Sequence, residues 1–400
     1  MAPPSWIILS TAPRVSAPDA LPDGADLSLA LAAPPGLSHL TVSTRVSPAD
    51  PDPHARLDSP YVLAADPSGL LLAITPPPLS ASSPATERVR RGPDGVERTF
   101  HISYIPDPDY AVLDVASATA RRLPGRDILS PATLGVIASP SGSGGFMVVE
   151  FQFIVGGTGA SLYCFSSHTG AWVEKKVRNP LPRWIWNFSD VLSHNGKLWW
   201  VDTATGLLAC DPFADNPDMA YVPLPPPEDG DEAASGDCGC YYCSERMIAS
   251  RRRIQLSNGT FRCGQIASPP RKPKDHAAAA GPHTVTMRTL ADPETAHWTL
   301  DYKVPLADIW ADHTYKAAGL PEKEPVLAFI HPNNPDVLYF SLDHYLFAVD
   351  MRAKKLVECQ AHESAVSPSS LFAWELPPAF TAPAAAGLPE NGIDSGPASA

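Results

Sequence analysis

The stretch HNGKLWWVDTATGLLACDPFADNPDMAYVPLP, residues 194–225, decides the fold. Asn195-Gly196 has the composition of a two-residue hairpin turn, and Lys197 to Asp202 is an apolar, aromatic strand. Thr205-Gly206 turns the chain back into Leu207 to Cys210, Asp211-Pro212 breaks the ladder, and Met219 to Leu224 supplies a third strand. Three short strands joined by tight turns are an architecture signal and carry no chemistry. Trp199 and Trp200 are consecutive on one strand, so one ring must face each side of the sheet.

The same pattern, an apolar strand, a turn built on Asp, Ser, Thr or Gly, and a second apolar strand, recurs along the chain. YVLAADPSGLLLAI turns near Asp66, YAVLDVASATARRLP near Asp114 and SLYCFSSHTGAWVEKKV near Ser167. RRRIQLSNGTFRCGQI turns at Asn258-Gly259, TVTMRTLADPETAHWTLDYKV near Glu294 and LYFSLDHYLFAVDMRAKKLVEC after Asp350. A spacing of roughly 47 residues falls near the length of a four-stranded propeller blade. The prediction is an all-β, propeller-like array of roughly 6–8 antiparallel blades.

Composition bounds the function. The chain has 400 residues with 44% hydrophobic and 18% charged residues, ample for a core. Its 46 prolines exclude long helices and long central strands. A net charge of -13 argues against nucleic acid as a partner, since phosphate binding requires a lysine and arginine surplus. The start, MAPPSWIILSTAPRV, has a four-residue apolar run and no basic lead, unlike a signal or transit peptide, and no window reaches the apolar length of a membrane span. Seven cysteines, several inside apolar strands, suit a reducing compartment, so a cytoplasmic or nuclear location is expected.

The organisation expected is one propeller-like domain over residues 1–376 and a disordered Pro/Ala-rich tail over 377–400. Proline-rich or charged stretches near 76–99, 225–243 and 268–283 read as surface insertions. LADIWADHTYKAA, Leu306 to Ala318, predicts one short connector helix stopped by Gly319-Leu320-Pro321.

Several phrases also carry a family resemblance: ADLSLALAAP, YVLAADPSGLLL, LYCFSSHTGAWVEK, GKLWWVDTATGLLACDPFAD, DIWADHTYKAAGLPEKEPVLAFIHPNNPDVLYF and FAVDMRAKKLVEC. Together they resemble the plant domain of unknown function 1618 family, expanded in grasses, over most of residues 3–360. The order of GKLWWVD, the strand at Trp298 to Leu300 and LYF…LFAVDMR is similar to F-box-associated and kelch-like propeller domains. The resemblance implies a propeller-like fold and a role in plant stress, defence or reproductive regulation, with no defined activity. Residues 1–60 lack the leucine-rich helical trio of an F-box.

Candidate sites are few. Cys238, Cys240 and Cys243, with Cys263 twenty residues on, include one C-x-x-C of zinc-knuckle spacing but no second one, so incidental cysteines are the stronger reading. Asp312-His313 and Asp343-His344 place acid and base side by side, but neighbours on a strand or helix diverge. Gly142 to Gly145 leads into a strand and reads as a hairpin loop, and the sequence holds no nucleophile elbow, phosphate loop or H-E-x-x-H. Arg183, Trp184 and Trp186 are candidate partner anchors, but packing of the rings between two blades is the stronger reading. Arg251-Arg252-Arg253 reads as a solvated strand edge. The expectation is therefore a non-enzymatic protein-interaction module with no cofactor. The alternatives are an enzyme with its site in the central channel and a zinc-stabilised structural module.

Overall fold

The computed structural model describes residues 4–47, 60–74, 86–91, 97–102, 108–140, 144–181, 186–225, 251–267, 283–363, 365 and 367–377. Five antiparallel four-stranded sheets follow one another in the chain. Blade I comprises Tyr61–Asp66, Gly69–Ile74, Asp109–Asp114 and Thr119–Arg122, and blade II Leu134–Ala138, Phe146–Phe153, Gly159–Ser166 and Ala171–Arg178. Blade III is Asp190–His194, Lys197–Asp202, Gly206–Cys210 and Ala220–Pro223. Blade IV is Arg252–Ser257, Thr260–Ala267, Thr284–Asp292 and His297–Pro305, and blade V is Val326–Ile330, Val337–Leu342, Tyr345–Asp350 and Lys355–Ala361.

The chain ends complete the ring. Trp6–Ser10 pairs antiparallel with Leu371–Glu375 over five residue pairs, from Trp6 with Glu375 to Ser10 with Leu371. Leu37–Ser43 then adds parallel to Trp6–Ser10, and Arg14–Ser16 and Leu27–Ala30 pair with Leu37–Ser43. The expected six to eight antiparallel blades are thus five, plus this closing sheet of mixed sense. Each hairpin in the sequence had counted as a blade. YVLAADPSGLLLAI and YAVLDVASATARRLP are instead the inner and outer hairpins of blade I, and RRRIQLSNGTFRCGQI and TVTMRTLADPETAHWTLDYKV those of blade IV.

Six apolar clusters occupy the six gaps between neighbouring sheets. Ile7, Leu72 and Leu113 join the closing sheet to blade I; Leu71, Val136 and Val148 join blades I and II; Phe151, Leu162 and Trp200 join II and III. Trp199, Phe261 and Leu290 join III and IV; Met287, Leu327 and Phe340 join IV and V; Ile8, Phe329 and Tyr339 return from V to the closing sheet. Each middle strand is sandwiched on both faces, which is why Gly69–Ile74 and Val337–Leu342 are buried at every position and apolar almost throughout, Ser341 being the polar residue in the second. Outermost strands such as Ala171–Arg178 and Lys355–Ala361 are mostly exposed and carry charge that discourages edge pairing.

Turn chemistry repeats with the blades. Asn195-Gly196 and Asn258-Gly259 adopt positive φ at both positions, 49° and 73° in the first and 50° and 67° in the second, as a type I′ turn demands. Four outer hairpins place a left-handed residue before the last strand, at Ala118, Gly170, Ala296 and Lys354. In three of these turns an aspartate, Asp114, Asp292 or Asp350, accepts backbone N–H bonds within the turn. The second residue of two outermost strands is a tryptophan whose indole N–H reaches back to the preceding blade: Trp172 donates to the Pro124 carbonyl at 3.1 Å and Trp298 to the Pro223 carbonyl at 2.9 Å.

Two local expectations are corrected. The connector is two short helices, Leu306–Ala311 and His313–Ala317, because Asp312 is extended (φ -68°, ψ 145°) and its carboxylate caps the second helix through the Thr314 N–H. Within the insertion near 76–99, Thr86–Arg91 and Glu97–Ile102 form a two-stranded ladder. The insertion near 225–243 beyond Pro225, most of that near 268–283, and the tail from 378 lie outside the described residues.

Ring closure sets two stability expectations. Ile8 is fully buried at the last interface, so Ile8→Ala should lower unfolding free energy by about 2–5 kcal/mol in urea titrations. Gly69 has φ +151° and a Cβ there would stand 2.6 Å from the Leu113 carbonyl oxygen, so Gly69→Ala should cost about 1–3 kcal/mol by the same measurement.

Candidate functional site: the axial channel

The innermost strand of every sheet is paired on one side only, leaving its other edge toward the axis. These strands run in the same sense. Asp66 and Ser193, near the ends of their strands in blades I and III, are hydrogen-bonded, and the Gln255 side chain near the end of its strand accepts from Ile330 N–H at 2.7 Å. They enclose a channel of about 1090 Å³. One end holds Tyr61, Ser130, Ser189 and Asp190; the other is ringed by Pro67, Pro140, His194, Asn195, Gly259 and Pro332.

Asp190 is the first residue of its strand. It is exposed to the channel but surrounded by the blades, and that enclosure raises its carboxyl to about 6. The Arg253 guanidinium and a hydrogen bond from Ser189 hold the rise back. Arg253 itself is fixed by donation from Nε to the Ala328 carbonyl at 3.2 Å and from Nη1 to the Arg252 carbonyl at 3.1 Å. At the other end Asp66 is saturated: Oδ1 accepts from Ser68 N–H at 2.8 Å and its hydroxyl at 2.6 Å, and Oδ2 accepts from Ser193. Burial pushes the His194 imidazole down and the Tyr61 phenol up. The wall is otherwise aliphatic and amphipathic, with Val62, Leu134, Leu192, Leu256, Phe372 and Trp374.

Sequence reasoning pointed elsewhere. Trp186 is 6% exposed, stacks on Phe188 with ring centroids 5.5 Å apart and donates to Asn179 Oδ1 at 3.3 Å, so it fills the gap between blades II and III and offers no surface. Arg183 and Trp184 lie outside the described residues, as do Cys238, Cys240 and Cys243. Cys263 is buried between blades III and IV, where desolvation raises its thiol and disfavours the thiolate a metal needs. Among the described residues no group of three His, Cys, Asp or Glu is placed to hold a metal.

The arginine run is not a solvated edge. Arg252 is 2% exposed and donates to Gln265 Oε1 at 2.9 Å and to the Thr203 carbonyl at 3.2 Å, clamping blade IV to blade III. Asp312 and His313, expected to diverge, bring Oδ2 and Nδ1 to 3.5 Å because the extended backbone at Asp312 folds its carboxylate over the helix start. Asp343 instead pairs with Lys323 Nζ at 2.8 Å, while His344 lies against the Tyr345 ring. Asp190 and the channel carry no sequence motif. Their signal is positional, the first residue of an inner strand, and it becomes visible only once blades are assigned.

The sheet order and the closed set of interfaces define a β-propeller. Residues 200–339 match the model of a family described as a protein of unknown function, DUF1618. That span runs from the middle of blade III into blade V. No curated protein sequence matches the chain. Among solved structures, AztD from Citrobacter koseri is 10% identical with a TM-score of 0.35, over 77% of this chain and 59% of that one. The Cps50 (Swd1) β-propeller domain of Myceliophteria thermophila is 11% identical, TM-score 0.31, over 74% and 98%. The α-L-arabinanase of Penicillium chrysogenum is 13% identical, TM-score 0.30, over 68% and 80%.

The raised Asp190 carboxyl has a signed consequence. Between the ordinary aspartate value of 3.8 and about 6 the folded state holds the proton that the unfolded state has released, so this group's contribution to stability falls as pH rises through that window. Asp190→Asn removes the dependence. The difference in thermal midpoint between variant and wild type should therefore move in the variant's favour between pH 4 and pH 7; a constant difference would contradict the assignment.

Proposed function

We propose that the protein is a non-enzymatic recognition module whose partner polypeptide engages the channel end ringed by the inner hairpin turns. The observation that supports this reading is an open axial channel whose polar groups are divided between its two ends, Asp190 with Ser189 at one and Asp66 with Ser193 and His194 at the other. Asp190 and His194 lie four residues apart on one strand, which separates them by about 13 Å. Ser193 donates to Asp66, whose Oδ1 is already held by the Ser68 N–H and hydroxyl, so this hydroxyl–carboxylate pair is fixed as a bridge between blades I and III. Proton-transfer chemistry requires groups within hydrogen-bond reach of one reacting atom, and this wall supplies surface chemistry of many weak contacts.

A cytoplasmic or nuclear setting is part of the proposal. It is supported by free, buried thiols at Cys164, Cys210 and Cys263 and a free exposed thiol at Cys359. A regulatory role in plant stress, defence or reproduction is the finer reading that the family resemblance favours, and it is carried with the proposal.

The test is affinity capture from native tissue with the purified full chain, beside a variant in which the loop between Ala138 and Phe146 is shortened to Asn-Gly. The expected result is a stoichiometric partner held by the wild type and recovered at least tenfold less by the variant, with unchanged circular dichroism. Equal recovery by both proteins would remove the channel end from the interface and the reading with it.

A further inference from the structure

The channel has a chemical polarity that narrows what it takes. Among the described residues its lining includes three carboxylates, Asp66, Asp190 and Glu375, and no lysine or arginine, with Arg253 standing behind the wall close enough to act on Asp190. Burial pushes His194, an imidazole on the wall, toward its neutral form. Asp66 is already saturated by Ser68 and Ser193, whereas Asp190 and Glu375 are exposed to the channel space. A passage of this kind, walled by protein of low dielectric, concentrates negative potential along its axis.

Two further observations concern main-chain chemistry. Each inner strand is paired on one side only within its sheet. Its other edge is engaged in part, at the Ile330 N–H by Gln255, at the Ala328 carbonyl by Arg253 and at the Val62 N–H by the Thr11 carbonyl, and an edge of this kind takes an added extended segment through the backbone groups left between such contacts. An inner strand of five residues, such as Asp190–His194, extends about 17 Å. A peptide of five or six extended residues matches that length.

We infer that the axial channel holds an extended peptide segment of a partner, its carbonyls meeting the inner wall and a lysine or arginine side chain placed against Asp190. This rests on the recognition reading given above and adds the chemistry of the partner. Asp190 is suited to the task because it is exposed to the channel and ionised above about pH 6, and Arg253, anchored behind it on the Ala328 and Arg252 carbonyls, favours that charge from the side away from the channel lining. A ligand guanidinium at Asp190 forms charge-assisted bonds, which are stronger than neutral ones.

The test is isothermal titration of the full-length chain at pH 7.5 with three capped probes: a Gly/Ser hexapeptide with one central arginine, the same peptide with citrulline in its place, and N-acetyl-arginine methylamide. The expected result is binding of the arginine peptide at least tenfold tighter than either other probe. Asp190→Asn should abolish that margin, and Glu375→Gln, at an exposed position, should reduce it. Equal affinity for the arginine and citrulline peptides, or no binding of either at millimolar concentration, would overturn the inference. Equal affinity for the single capped arginine would overturn the extended segment. If the partner is still captured through the loop between Ala138 and Phe146 while the arginine margin is absent, this inference fails alone; if capture is indifferent to that loop, the reading beneath it fails.

Discussion

The antiparallel pairing of Trp6–Ser10 with Leu371–Glu375 is the constraint on which the remaining structure depends. Every blade buries both faces, so a linear row of five would leave two apolar faces in water, one on blade I and one on blade V. The closing sheet covers both at once. Ile7 and Leu9 turn toward blade I, and Trp6 and Ile8 toward blade V, an alternation that follows from the period of two in a strand. Ile7, Ile8 and Leu9 are all fully buried, so four consecutive apolar residues near one end of the chain serve two interfaces. The junction is made by segments more than 360 residues apart, and such contacts require long-range closure before they stabilise anything. Its mixed sense has a simple origin. The second strand arrives at the N-terminus instead of by a hairpin from the first, and Leu37–Ser43 joins it in parallel after a connection long enough to cross over.

Two-sided burial also accounts for much of the composition. The middle strands contain almost no alternation because no face is solvated, and tryptophans are distributed one to a side, Trp199 toward blade IV and Trp200 toward blade II. Where polar groups enter these interfaces they are bound to backbone. The Trp200 indole donates to the Thr133 carbonyl at 2.8 Å, Lys175 Nζ to the Pro212 and Ala214 carbonyls at 2.8 Å, and Ser257 Oγ to the His331 carbonyl at 2.7 Å. Glu150, fully buried between blades I and II, accepts from Leu129 N–H at 2.7 Å and faces Arg126, whose guanidinium rests 3.4 Å from the centre of the Tyr163 ring. Each neighbour pair therefore has an apolar core fastened by a few directional bonds, which fixes blade rotation more tightly than burial alone.

Fold class was legible because turns and strands are local. Asn195-Gly196 and Asn258-Gly259 announce hairpins wherever they stand. Blade membership was not legible, because a hairpin formed by the first and second strands resembles one formed by the third and fourth. Only the pairing of Gly69–Ile74 with Asp109–Asp114, across the segment between them, shows that two hairpins share a sheet. The arginines illustrate the same limit. A run of three looks like a solvated edge, yet Arg252 begins an inner strand beside the Thr203 carbonyl and Gln265, partners supplied by a neighbouring blade and by the next strand. For the Trp-rich segment the alternation of the sequence leaves anchor and packing roles both open with packing the stronger, and Trp186 takes the packing role, drawn inward by Phe188 and Asn179 within its own gap.

The same geometry explains why the site lacks a motif. In a ring, the axis is approached by one strand from each sheet, so its chemistry is assembled from six separated stretches, each contributing a residue or two. Asp66, Asp190 and Glu375 are far apart in sequence and unremarkable individually. What unites them is their place on inner strands. Among the described residues lysine and arginine enter the blade gaps, as Arg252 and Lys175 do, or stand on outermost strands such as Ala171–Arg178 and Lys355–Ala361, while Arg253 comes close enough to the axis to lower the Asp190 carboxyl. The charge of the axis is therefore set jointly by inner-strand carboxylates and by the cations that blade packing places behind them.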